Sequence, residues 1–136
     1  MGPGGTTRGG AGPDAAGPGE TGDGGPQVLA RIATRRGELA LRRSGSEFEI
    51  ISNGVFLMDT RDGRSERLMV AAALDRCPVS APRVLICGLG VGFSLAEAVS
   101  NPQVARVDVV EISAEIIGWH ATHLRHLAAP PGTTAG

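Results

Sequence analysis

The residues of this chain best suited to bind a ligand lie in one segment, RVLICGLGVGFSLAEAVSNPQVARVDVVE, which spans residues 83–111. Gly88, Gly90 and Gly92 follow a short apolar run, and Glu111 ends a second one. Glycine has no Cβ, so a glycine-rich turn bends sharply and lets a flat ligand approach the backbone. A carboxylate roughly 20 residues after such a turn is placed to accept hydrogen bonds from the two hydroxyls of a ribose. The segment therefore predicts a nucleoside site.

The same segment predicts the elements that position these residues. The runs 83–87 and 104–110 have the apolar, β-branched character of parallel strands covered on both faces. Residues 93–100 are long enough for about two helical turns, and Asn101-Pro102 ends the helix because proline cannot continue it. The glycines thus lie where a strand ends and a helix begins.

The spacing of the glycines bears on the kind of nucleotide. Dinucleotide folds use GxGxxG, whose third glycine allows close packing over a pyrophosphate. Phe93 stands at that third position here, and Gly92 instead completes GxGxG. The pattern favours a nucleoside without a pyrophosphate over NAD(P). A tight structural turn that happens to lie near an acidic residue would show the same sequence pattern.

Four short segments with alternating apolar residues precede this unit, and each is separated from the next by a turn that contains glycine. The segments are residues 28–34, 38–43, 47–51 and 54–58. Asn53-Gly54 is the strongest turn signal, because both residues tolerate the positive φ of a type I′ turn. The segments predict an antiparallel meander of three or four strands, which needs another layer to cover it.

Two further helices are predicted, one on each side of the glycine segment. Ser65 is placed to cap the first, whose apolar stripe consists of Leu68, Met69, Ala72 and Ala73, with Met69 expected to fill the core. Ser113 is placed to cap the second. Its apolar positions, at i, i+3, i+4 and i+7 spacing, are Ile116, Ile117, His120, Leu124 and Leu127.

The histidines and cysteines raise the question of a metal site. His120, His123 and His126 recur every three residues, and an i, i+3 pair can share a helix face. A third ligand two turns along turns away from that face, and no Cys, Asp or Glu joins the set, so we predict no metal and a mostly solvated face. Cys77 and Cys87 are too few for a disulfide framework or a zinc site, and Cys87 is expected to be a small buried residue at the end of its strand.

Composition limits the domain organisation and the partners. Residues 1–26 contain eleven glycines and four prolines and predict a disordered tail, as do residues 128–136. Between them we expect a β meander at 27–64 and a linking helix with an α/β unit at 65–127. With no apolar stretch long enough for a signal peptide or a membrane span, we expect a cytoplasmic protein. A net charge of −1 and scattered arginines argue against nucleic acid and membrane surfaces.

From about residue 48 to residue 119 the sequence resembles the spermidine synthase (polyamine aminopropyltransferase) family, a branch of the S-adenosylmethionine-dependent methyltransferase-like fold. The resemblance is carried by SNGVFLMDTRDGRSERLMVAAAL (52–74), VLICGLGVGF (84–93) and VDVVEISAEIIGW (107–119). It implies an α/β fold in which a small N-terminal antiparallel β meander precedes an incomplete Rossmann-like parallel unit.

The resemblance also implies a ligand. Gly88, Gly90 and Gly92 would line the adenosine and the methionine-derived part of decarboxylated S-adenosylmethionine or methylthioadenosine, and Glu111 would hold the ribose. S-adenosylmethionine itself is the other candidate, and an amine is the acceptor in the family's aminopropyl transfer. The family's polar residues on the acceptor side are replaced in this chain, where the aligned positions hold Leu57, Glu66, Arg67, Val91 and Ser113.

The catalytic residue stays unknown, because the family's acidic loop follows a third strand that this sequence does not include. Two parallel strands make an unfinished sheet, so we expect a truncated form of a longer protein or a chain that completes its sheet with a partner, such as a second copy. Three functions remain open at this point: a spermidine-synthase-like transferase, a non-catalytic nucleoside-binding or regulatory module, and a methyltransferase relative with an unknown acceptor.

Overall fold

The computed structural model describes residues 25–128, so residues 1–24 and 129–136 of the two predicted tails lie outside it. The first half of the described chain is a single antiparallel sheet. Its strands are β1 (Gln27–Thr34), β2 (Gly37–Ser44), β3 (Glu47–Ser52) and β4 (Val55–Asp59), in the order β1-β2-β3-β4. The predicted antiparallel meander of three or four strands is confirmed, with four strands.

A two-residue turn joins β3 to β4. Asn53 and Gly54 have φ values of 50° and 76°, which is the pair of left-handed residues that a type I′ turn requires. The Asn53 side chain also accepts a hydrogen bond of 2.8 Å from the N–H of Glu38, so the turn is tied to β2. The turn predicted at Asn53-Gly54 is confirmed.

The second half of the described chain alternates helices with a parallel pair of strands. Its elements are α1 (Arg64–Asp75), β5 (Arg83–Cys87), α2 (Phe93–Ser100), β6 (Arg106–Val110), α3 (Ala114–Ala121) and α4 (Arg125–Ala128). Strands β5 and β6 are parallel and in register from Arg83 beside Arg106 to Cys87 beside Val110. The structure therefore confirms the predicted fold class, a meander followed by a partial Rossmann-like unit.

One hydrophobic core joins the two halves. The meander contributes buried side chains from β2 and β3, and the α/β unit contributes side chains from the glycine loop, α2, α3 and the turn after α3. The members of this core are Leu39, Leu41, Ile50, Val91, Phe93, Ile116, Trp119 and Leu124. The layer that the meander needs is thus supplied by the elements around the glycine loop, which places the meander beside the loop.

The prediction that the parallel strands β5 and β6 are covered on both faces is wrong. Along β5 exposed and half-buried residues alternate, with Leu85 62% exposed, and Val110 on β6 is also exposed. This alternation is the pattern of a sheet covered on one face. Coverage on both faces was therefore wrong for the described residues, and Cys87 is exposed rather than buried.

Helix α1 also differs from its prediction. It begins after Gly63 rather than at a Ser65 cap, and no side chain caps it. Leu68 and Met69 are 68% and 62% exposed, whereas Val70 is buried. The expected core role of Met69 is wrong because α1 packs against α2 and turns Val70, on another face of the helix, inward.

The C-terminal helical segment is divided rather than continuous. Helix α3 ends at Ala121, and α4 begins at Arg125 after a turn that buries Leu124 completely. Ser113 is the N-cap residue as predicted, but its side chain makes no capping hydrogen bond. Ile117 is exposed, so the predicted apolar stripe is wrong at that position.

A buried carboxylate links β3 to the turn after β4. Glu49 is 5% exposed, and its two oxygens accept hydrogen bonds of 2.5 Å from Arg42 Nε and 2.6 Å from Arg61 Nη2. Arg61 also pairs with Asp59. The Arg61 hydrogen bond, opposed by burial and aided by Arg42, holds the pKa of Glu49 below its ordinary value.

This arrangement predicts a pH dependence of stability. Because the folded-state pKa of Glu49 is lowered, the stabilisation is present above the ordinary value of 4.5 and is lost as the pH falls through the lowered value. Glu49→Gln is therefore expected to lower the free energy of unfolding by about 1–3 kcal/mol at pH 7 and to flatten its decline in acid. Urea denaturation across this pH range measures both effects.

Asp75→Asn is the control, since Asp75 makes no ion pair among the described residues. It should leave the acid limb of the profile nearly unchanged. An acid limb as steep in Glu49→Gln as in the unaltered chain would refute the role of Glu49.

Candidate functional site

The glycine loop connects β5 to α2 and is built from left-handed residues. Gly88, Gly90 and Gly92 have φ values of 98°, 52° and 99°. A side chain would strain each of these conformations, which explains the choice of glycine. The Gly88 N–H donates to the Val110 carbonyl at 2.8 Å, so the loop leaves the sheet directly at the end of β5.

Gly88 and Gly90 face different surroundings. A Cβ placed on Gly88 would have no neighbour within 4 Å, so this side of the loop faces open space. A Cβ on Gly90 would lie 2.5 Å from Sδ of Met58, which reaches the loop from β4. Gly88 therefore leaves room for a ligand, whereas Gly90 makes room for the meander.

Glu111 lies beside the loop, as the sequence predicted. Its Oε2 accepts a hydrogen bond of 2.7 Å from the Leu89 N–H, and its Oε1 accepts one of 2.8 Å from the Ser113 N–H. Two backbone groups thus fix the carboxylate between the glycine loop and the start of α3. An ionised carboxylate accepts about four hydrogen bonds, so about two positions remain for the hydroxyls of a ligand.

Helix α2 adds a partial positive charge at the same place. Gly92 is its N-cap, and no side chain accepts a hydrogen bond from the first turn. The N–H groups of a helix N-terminus point toward a ligand and favour polar or negative atoms. The loop, Glu111 and this helix end together provide donors and acceptors within one short stretch of chain.

These groups line a cleft of about 430 Å³ between the two halves of the described chain. One wall is the glycine loop with Glu111 and the start of α3, and the other comes from the meander and α1. The polar side chains of the second wall are Thr34, Arg36, Glu38, Ser52 and Glu66. The sequence did not predict the second wall of the cleft. The β1–β2 turn lies opposite the glycine loop because the shared core packs the meander against the α/β unit.

Val91 and Phe93 are both buried in the core. Val91 is 2% exposed, at the position where the resemblance places an aspartate. The Phe93 ring occupies the space in which a Cβ of Gly63 would lie, 2.2 Å from Cγ, and the guanidinium of Arg67 lies 5.0 Å from the ring centre. The absence of a third glycine is thus explained by packing of the ring against the start of α1.

The three histidines have different surroundings. His120 Nε2 lies 2.8 Å from the Gly90 carbonyl oxygen, His123 is exposed, and the ring of His126 lies 5.8 Å from that of Phe48. Among residues 25–128, no three histidine, cysteine, aspartate or glutamate side chains are grouped so as to hold a metal ion. The expected solvated face holds for His123, whereas His120 contacts the glycine loop.

No protein-family model matches this chain, and no curated protein matches it. Solved structures do match. A spermidine synthase crystallised with the transition-state analogue AdoDATO and the spermidine synthase of Thermotoga maritima each align over 74% of this chain, with a TM-score of 0.61 and 17% sequence identity. The aligned part of this chain has the spermidine synthase fold.

The spermidine synthase fold confirms the resemblance at the level of architecture. The chain spans about a third of the length of these two structures, which are covered to 34% and 35%. Among the described residues, no helix is both long enough and apolar enough to cross a membrane. The contacts of Gly88, Gly90, Gly92 and Glu111 with a ligand remain predictions.

Proposed function

We propose that the cleft binds the nucleoside part of an S-adenosylmethionine-type ligand, with decarboxylated S-adenosylmethionine and methylthioadenosine as the first candidates. The position of Glu111 is the observation that carries this proposal. Its carboxylate is fixed by Leu89 and Ser113, lines the cleft, and keeps acceptor positions for a ribose diol. The AdoDATO complex of a protein with the same fold supports the choice of ligand class.

In this proposal the glycine loop and Glu111 contact different parts of the ligand. Glu111 accepts hydrogen bonds from the ribose hydroxyls. Gly88, with open space at its Cα, allows the adenosine and the methionine-derived chain to lie against the backbone, and Gly90 and Gly92 hold the loop in its left-handed course.

The proposed activity is transfer of an aminopropyl group to an amine. A general base must lie within about 3 Å of the proton that it removes. Glu66 and Glu38 line the cleft, but Glu38 is paired with Arg31, and no geometry assigns either as the base. We assign no catalytic residue, and a nucleoside-binding module without transferase activity stays a possible function of the same site.

A methyltransferase with another acceptor is the second candidate, and two observations favour it. Val91 replaces an aspartate that the resemblance places on the acceptor side, and its buried, apolar side chain offers no carboxylate to an amine. Arg36 lines the cleft and offers a cation for the carboxylate that S-adenosylmethionine has and its decarboxylated form lacks.

A ligand series tests the proposal and separates the two candidates. Methylthioadenosine is expected to raise the melting temperature of the chain, since a ligand at about 100 times its dissociation constant stabilises a protein by about 2.7 kcal/mol. Under the first candidate decarboxylated S-adenosylmethionine binds more tightly than S-adenosylmethionine, and under the second the order is reversed. NAD is the negative control. No shift with any of the three nucleosides would refute the proposal.

Two further expectations belong to this proposal. Among the described residues, β5 and β6 form a two-stranded sheet whose outer edges leave backbone groups for further strand pairing, and a second copy of the chain is the partner we propose. A cytoplasmic location, with no nucleic-acid or membrane partner, remains our proposal from the composition of the sequence.

A further inference from the structure

His120 contacts the glycine loop from outside it. The residue lies on α3, thirty positions after Gly90, and its Nε2 is 2.8 Å from the Gly90 carbonyl oxygen. A carbonyl oxygen only accepts hydrogen bonds, so Nε2 carries the hydrogen and donates it. His120 is therefore a donor to the central peptide group of the loop.

The surroundings of the other ring nitrogen also indicate which nitrogen of His120 carries the hydrogen. Nδ1 is buried and has no hydrogen-bond partner among the described residues. A hydrogen on Nδ1 instead of Nε2 would leave a buried donor without an acceptor and the Gly90 carbonyl without its donor. The geometry thus selects hydrogen on Nε2.

Gly90 is held from a second direction as well. Met58 of β4 fills the space on its Cα, with Sδ 2.5 Å from where a Cβ would lie, and the φ of Gly90 is 52°. The loop's other hydrogen bonds involve Gly88, Leu89 and Gly92, and none of these bonds involves the Gly90 carbonyl. The His120 hydrogen bond therefore fixes the Gly90 carbonyl, which the other hydrogen bonds of the loop do not hold.

We propose that His120 is a positioning residue of the ligand cleft, which through its Nε2–H holds the Gly90 carbonyl and thereby the course of the glycine loop between Gly88 and Gly92. This inference rests on the proposed nucleoside function of the cleft. Helix α3 thus contributes to the cleft twice, through the Glu111 contact to Ser113 at its start and through His120 near its end.

Binding measurements on the full chain test the proposal. His120→Phe keeps a ring but removes the donor, and we expect the affinity for methylthioadenosine to fall about tenfold at a temperature where the variant is fully folded. His120→Gln places an amide nitrogen as many bonds from Cβ as Nε2 and is expected to recover affinity to within about threefold of the unaltered chain. His123→Phe, on an exposed histidine, is the matched control and should bind normally.

Two readouts in the free chain distinguish loop positioning from general stability. The ring ¹⁵N chemical shifts of His120, assigned by their loss in His120→Gln, should report hydrogen on Nε2. Hydrogen exchange of the Leu89 and Gly92 amides should accelerate in His120→Phe and return to normal in His120→Gln, while amides of the meander do not change.

Each outcome decides the question. Unchanged exchange and affinity in a folded His120→Phe, no recovery in His120→Gln, or a ring without hydrogen on Nε2 would overturn the role of His120. If the unaltered chain binds no nucleoside, the proposed function fails, but the ring shifts and the loop exchange still test whether His120 holds Gly90. If His120→Phe does not fold, His120→Gln and the ring shifts of the unaltered chain carry the test.

Discussion

Glu111→Ala is expected to lower the affinity of the chain for methylthioadenosine at least about 100-fold. In the proposed complex the carboxylate accepts one hydrogen bond from each ribose hydroxyl, and a hydrogen bond to a charged group contributes about 1.5–3 kcal/mol. Since about 1.4 kcal/mol corresponds to a factor of ten in the dissociation constant, two such bonds account for roughly 100-fold or more. Titration calorimetry below the melting temperature of the variant measures the change.

Glu111 also accepts the Leu89 and Ser113 N–H groups, so loss of its carboxylate disturbs the loop as well as the ribose contact. A ligand lacking one hydroxyl separates these effects. The 2′-deoxy analogue of methylthioadenosine should bind less tightly than methylthioadenosine to the unaltered chain and equally tightly to Glu111→Ala, because the coupling exists only when both groups are present.

Glu115→Ala is the matched control, because Glu115 lies four residues away in the first turn of α3 and is not a lining residue of the cleft. It should bind like the unaltered chain. An undiminished affinity in Glu111→Ala would show that Glu111 only joins the loop to α3, and the ribose role would have to be abandoned.

Leu41→Ala is expected to destabilise both halves of the described chain together. Leu41 lies on β2 with 0% exposure, in the core that also contains Trp119 of α3. Truncating a buried leucine costs about 2–5 kcal/mol through lost burial and the cavity that remains. Trp119 is the single tryptophan of the chain, so its fluorescence reports on the helical side while the substitution is made in the meander.

Urea denaturation of Leu41→Ala should give the same midpoint by far-UV circular dichroism and by Trp119 fluorescence, and both should shift to lower urea. Coincident transitions are the sign of one cooperative unit. Leu68→Ala removes the same atoms from an exposed position of α1 and should change the free energy of unfolding by less than about 0.5 kcal/mol. A Trp119 midpoint that stays constant in Leu41→Ala would show that the two halves unfold separately.

The cleft depends on this shared core. The glycine loop contributes Val91 to it, and Met58 of β4 lies against Gly90. Displacement of the meander would therefore change both the second wall of the cleft and the support of the loop. For this reason we expect nucleoside affinity to be sensitive to substitutions in the meander that contact no ligand.

The local elements were predictable because their determinants are local. The bounds of α2 agree with the prediction at both ends, since glycine stands before Phe93 and Asn101-Pro102 follows Ser100. The Asn53-Gly54 turn formed as expected because few residues tolerate two successive positive φ values. The proximity of Glu111 to the loop followed from the parallel pairing of two neighbouring strands.

The errors have a common cause. The side chains of Met69, Leu85 and Cys87 were expected to be buried and are exposed. They are apolar or weakly polar, and their spacing in the sequence does not indicate which face of a helix or sheet will be covered. That depends on where other elements pack. The contact of His120 with Gly90 belongs to the same class, because a histidine on an apolar stripe gives no indication of the carbonyl it will meet thirty positions away.

The meander, the glycine-rich turn between the first parallel strand and its helix, and the acid at the end of the second parallel strand were all predictable from the sequence. Backbone sterics and the period of apolar residues act over a few positions, so they can be read along the chain. Three features could be seen only in the folded chain: which meander residues form the second wall of the cleft, the two backbone N–H groups that hold Glu111, and the contacts of Met58 and His120 with Gly90. These contacts join residues far apart in sequence, and burial of one common core selects them.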